Sequence, residues 1–111
     1  MAWRSFDDGR SIGTRGSENG FIICDEENDL GARISLEREG SSAPNSITCG
    51  IYGWMMHTRF FGSPDEAQPQ FEKMKTEIDA ILKNIPLKSE ASRDHVSAVS
   101  DAITKFIKQF P

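Results

Sequence analysis

Ala32-Arg33-Ile34-Ser35-Leu36-Glu37-Arg38 alternates apolar and polar side chains, with Ala32, Ile34 and Leu36 on one face and Arg33, Ser35 and Glu37 on the other. That period of two is a strand buried on one side and wet on the other, so the sheet it belongs to needs cover on one face only. Upstream, Phe21-Ile22-Ile23-Cys24 is a short β-favouring run. The acidic stretch Asp25-Glu26-Glu27-Asn28-Asp29, with Gly31, reads as the turn of a hairpin joining the two runs. Trp3 to Phe6 reads as a further short strand. Downstream of the loop Gly40 to Asn45, Ser46 to Phe61 reads as one strand far beyond the usual ~5 to 6 residues, which calls for a bend or bulge at Gly50 or Gly53.

The cover comes from the second part of the chain. Every Gly lies at or before residue 62 and every Lys at or after residue 73, so the composition switches near residue 62. Ser63-Pro64-Asp65-Glu66 is a capping box with Pro at the first helical position. Pro69 lacks the N–H the ladder needs, which predicts a short turn over 64–68 and a main helix from Pro69 to Asn84. Phe71, Met74, Ile78, Ile81, Leu82 and Ile85 form its apolar stripe. After Pro86 a second stripe carries Val96, Val99, Ile103, Phe106, Ile107 and Phe110, with Ser92 and Asp94 as capping residues.

Helices pack about 8 to 10 Å apart and strands about 4.8 Å, so two helices cover roughly four strands. The expected fold is therefore an α+β two-layer sandwich: an N-terminal antiparallel sheet of three to four strands with two C-terminal amphipathic helices on one face. It forms a single domain over residues 1–111, with a sheet part over 1–62 and a helical part over 63–111. The last helix packs in this arrangement or on a second subunit; nothing in the sequence decides between them.

Composition narrows function by exclusion. Hydrophobic residues make up 37% of 111, enough for a core without disulfide or metal staples. A net charge of -4 and no Lys in the first 72 residues argue against a nucleic-acid partner. No run approaches the ~20 apolar residues of a membrane span, and the opening residues lack a signal peptide, so a cytoplasmic protein with no membrane partner is expected. Cys24 and Cys49 have no C-x-x-C spacing and read as free thiols, with no metal and no cofactor implied. The acidic run fails the calcium-loop pattern, with Leu30 at its sixth position and Leu36 at its twelfth.

The unusual residues concentrate in 46–61. Tyr52, Trp54 and Met56 would stand on a sheet face not covered by the helices, and large exposed aromatics mark a partner surface. His57 and Arg59, two apart, share the other face and offer an imidazole and a guanidinium to an anion. Arg15, in the loop Gly13 to Gly20, adds a possible anion contact, although that loop matches neither the P-loop nor the dinucleotide fingerprint. On an unbroken strand Cys49 stands about 26 Å from His57, too far for a Cys/His pair.

No catalytic residue is assigned. The expected function is a small non-catalytic interaction or regulatory module, a homodimer through the aromatic strand face or a binder of another protein. The rival reading is a small anionic-ligand-binding protein or small enzyme using His57, Arg59 and Arg15.

Overall fold

The alternation in residues 32–38 does set the architecture. A computed structural model describes residues 3–83 and 93–111. Its strands are β1 (Arg4–Ser5), β2 (Phe21–Glu27), β3 (Ala32–Arg38), β4 (Asn45–Ile51) and β5 (Met55–Phe61), followed by helices α1 (Pro64–Leu82) and α2 (Arg93–Gln109). The strands form one antiparallel sheet in chain order, so β1 and β5 are its edges. This is the α+β sandwich the sequence predicts, with five strands in place of three to four.

The added strand comes from residues 46–61, which form a hairpin and not one bent strand. Ile51 pairs with Met55, and Asn45 with Phe61, across a turn at Tyr52, Gly53 and Trp54. Trp54 donates its N–H to the Ile51 carbonyl at 2.9 Å, and Gly53 has φ 81° at the third turn position, which a type II turn reserves for Gly. The β2–β3 hairpin also turns later than the composition suggests. Asp25, Glu26 and Glu27 belong to β2, and Asn28 makes the turn by accepting from the N–H groups of Leu30 and Ala32 at 3.0 and 3.3 Å.

Helix α1 begins where the capping box places it, with Ser63 Oγ accepting from the Glu66 N–H at 3.3 Å. It then runs unbroken through Pro69, contrary to the expected short turn. Pro69 removes only the bond to the Asp65 carbonyl, and both residues are exposed near the helix start, so the cost is small. Phe71, Met74, Ile78, Ile81 and Leu82 are buried as the stripe requires. Ile85, Ser92 and the connection after Pro86 lie outside the described residues, as does the side chain of Asp94.

On α2 the buried seam is Val99, Ile103, Phe106 and Phe110, while Val96 and Ile107 are exposed, so the stripe is narrower than predicted. These residues join α1 and the β3–β4 side chains Ile34, Leu36, Ile47, Cys49 and Ile51 in one buried cluster. The last helix therefore packs in cis. No helix among the described residues is long and apolar enough to cross a membrane.

Candidate binding face

Opposing residues in an antiparallel sheet share a face, so the registers lay out the side the helices leave open as three rows. The row nearest the hairpin tips is Glu27, Arg33, Gly50 and Met56; the middle row is Asp25, Ser35, Thr48 and Thr58; the last is Ile22, Glu37, Ser46 and Phe60.

The last row lies under the loop that precedes β2. Glu37, in a position that reads as solvent-facing, is only 1% exposed. Its Oε1 accepts from the N–H groups of Gly20 at 3.0 Å and Glu18 at 3.2 Å, and Ser17 Oγ stands 3.5 Å from Oε2. A Cβ on Gly20 would lie 2.7 Å from the Arg38 carbonyl oxygen, so glycine is needed there, and one on Gly16 would lie 2.6 Å from Oε2 and displace the carboxylate. The loop Gly13 to Gly20 does cradle an anion, and that anion is the chain's own carboxylate. Arg15 takes no part: it donates to the Asn19 carbonyl at 2.8 Å and lies over the Phe21 ring.

The other two rows are low over β4 and the middle of β3, where Gly50, Ser35 and Thr48 stand. Gly50 stands between Arg33 and Met56, and Ser35 and Thr48 form the centre of the middle row. The result is a groove of about 590 Å³ over β3 and β4. Gly16 and Ser17 wall it on one side, and Tyr52, Trp54 and Met56 on the other. Asp25, buried, takes Arg33 Nε at 2.9 Å and Nη2 at 2.7 Å in a bidentate pair. The Phe6 ring lies 3.5 Å from the Arg33 guanidinium carbon. Sequence reasoning missed this pair because Asp25 lies in an acidic run that resembles a turn; the signal was Arg33, set on the polar face of the neighbouring strand.

The aromatic strand residues divide. Tyr52, at the hairpin tip, is 91% exposed, and its N–H donates to the Gly31 carbonyl at 2.8 Å, tying the two hairpin tips together. Met56 and Phe60, on the open face of β5, are 81% and 50% exposed. Trp54 is half-buried against the edge of the core.

His57 and Arg59 are on the helix face, where they hold the end of α2. His57 Nε2 donates to the Phe110 carbonyl. Arg59 donates from Nε to the Pro111 carbonyl at 3.3 Å and from Nη1 to Gln70 Oε1 at 2.9 Å. Both side chains are thus engaged within the fold. Arg15 bridges to Phe21 on the side of β2 away from β3, four strand spacings from β5, about 19 Å, so the three residues of the rival reading do not converge.

The hairpin does bring Cys49 opposite His57, a pairing that an unbroken strand forbids. It makes no nucleophile. Burial pushes the Cys49 thiol from its ordinary 9.0 up to about 12, opposed by the charge of Arg59, so the thiolate is not formed at neutral pH. With a folded pKa above the unfolded one, the buried thiol leaves stability unchanged below pH 9 and erodes it between pH 9 and about 12. In the native protein at pH 8, a thiol reagent is expected to titrate Cys24, which is partly exposed, and to reach Cys49 only after unfolding. Prompt labelling of both thiols would show that Cys49 is accessible in the folded state.

No family model, curated protein or solved structure matches this chain.

Proposed function

We propose that the protein is a non-catalytic interaction module that self-associates by pairing the outer edge of β5 with β5 of a second copy. One observation carries this reading: β5 is a seven-residue edge strand whose outer side meets no backbone partner among the described residues. It contains no Pro and no Lys, its register to β4 has no bulge, and among the described residues no other backbone pairs with its outer edge. Natural sheets protect such an edge unless it is used. The opposite edge is protected, because β1 has only two residues and gives way to a 3₁₀ turn at Phe6–Gly9.

The open face of β5 is also self-complementary. A two-fold axis through Thr58 sets Met56 of one copy against Phe60 of the other, twice, and Thr58 against Thr58. Two apolar pairs and a Thr pair then cover side chains that a monomer leaves wet, as an isologous interface requires. A cytosolic location belongs to this reading, supported by the two free thiols.

Light scattering behind a size-exclusion column over a range of concentrations tests it. The expected mass is twice 12.4 kDa at the upper concentrations. Met56→Lys and Phe60→Lys, each placing a charge in the pairing row while keeping the native far-UV spectrum, are expected to return it to the monomer mass. A wild-type monomer throughout the range overturns the reading and leaves the edge for a strand of a different protein.

A further inference from the structure

We propose that the groove over β3 and β4 binds a neutral, planar aromatic molecule with a hydrogen-bond acceptor, a ketone or ring nitrogen, at one end. The inference does not rest on self-association, with which the groove shares only Met56. Three observations define the ligand. The first is shape: about 590 Å³ falls within the ~300 to 1,000 Å³ of small-molecule sites, and the depth comes from Gly50, which leaves a gap in its row. The aromatic wall at Trp54 is packed against the core edge, so it needs little ordering when a ring stacks there. Met56 contributes a thioether beside the same space, a favourable neighbour for a ring edge.

The second is charge. Among the described residues Arg33 is the only ionic side chain lining the groove, and the bidentate pair with Asp25 compensates it. An anion gains little there, and a cation meets no free carboxylate. The third is the balance of donors. Thr48 Oγ1 and Thr58 Oγ1 are 3.1 Å apart and share one proton, so one O–H of the pair remains to donate. Ser35 adds a second hydroxyl in the same row, and Nη1 of Arg33 is not engaged by Asp25. An acceptor meets these donors at the floor while the ring lies between the walls.

The probe is 6-propionyl-2-(dimethylamino)naphthalene, a neutral planar ketone whose emission moves to the blue on leaving water. Saturable, blue-shifted binding at one probe per chain is expected. Thr48→Phe, which fills the floor, is expected to weaken it at least tenfold; should that variant lose the native far-UV spectrum, Gly50→Leu fills the neighbouring row instead. The same naphthalene without its ketone is expected to bind about fivefold more weakly, the worth of one hydrogen bond. Phe60→Lys, which lies outside the groove, is expected to bind the probe as wild type does. Absence of saturable binding, equal affinity in the wild type and the filled variant, or tighter binding of a naphthalene sulfonate than of the ketone overturns the proposal.

Discussion

Glu37→Ala is expected to lower the free energy of unfolding by about 3 kcal/mol or more, a cost out of proportion to a residue on the polar face of its strand. The reason lies in what the carboxylate satisfies. Among the described residues no Lys or Arg forms an ion pair with it. Its charge is matched by the backbone N–H groups of Glu18 and Gly20, an inward-facing anion nest. Removing the carboxylate leaves both N–H groups without their acceptor and opens a void beneath Gly16. Ser46 Oγ, opposite Glu37 on β4 and buried without a hydrogen-bond partner among the described residues, cannot replace it without a shift of the backbone. Glu37→Gln keeps the shape and one acceptor oxygen and is expected to cost about half as much.

The core on the other face should survive both changes. The expected signature in Glu37→Ala is a native far-UV spectrum at 25 °C, faster amide exchange confined to residues 16–20, and a lower urea midpoint with an unchanged slope. A cost below about 1 kcal/mol would mean that water replaces the carboxylate freely and that the loop is held by other contacts. The groove depends on the same residues: Gly16 and Ser17 form one of its walls, so releasing the loop removes that wall.

Glu37 also shows how far the sequence could be read. Alternation reports which side of a strand faces the core, and it does so correctly for Ala32, Ile34 and Leu36. It is silent on whether the polar side is covered by chain from elsewhere, here by residues 16–20, which share no local pattern with β3. The hairpin at 51–55 escaped for a different reason. Tyr52-Gly53-Trp54 has the Gly that the turn requires, yet its two aromatics resemble strand interior, and the Asn-Gly or Asp-Gly signal is missing. The faces survived the error. Three residues separate the partners Ile51 and Met55, an odd number that preserves parity, so His57 and Arg59 share a face with Cys49 as they would on an unbroken strand. What changed was distance, since parity cannot tell a residue farther along the strand from one directly across it.

Phe110→Ala is expected to cost about 3 to 5 kcal/mol, measured by urea unfolding. Phe110 is buried, with its ring centroid 4.8 Å from that of Phe106. The Arg59 guanidinium lies 5.2 Å from its centroid and 4.8 Å from that of Phe61, a cation held between two rings. His57 holds the carbonyl of the same residue, so the imidazole and guanidinium that suggest an anion site on β5 are both engaged by the end of α2. Arg59→Met, which keeps the aliphatic stem and removes the charge, is expected to cost about 1 kcal/mol alone. If the two residues act as one clasp, the double variant should cost less than the sum of the single ones by about 0.5 to 1 kcal/mol, because the cation–π contact can be lost only once. Strict additivity would show that Arg59 and Phe110 stabilise the fold separately. The guanidinium would then act through Gln70, Pro111 and Phe61 alone.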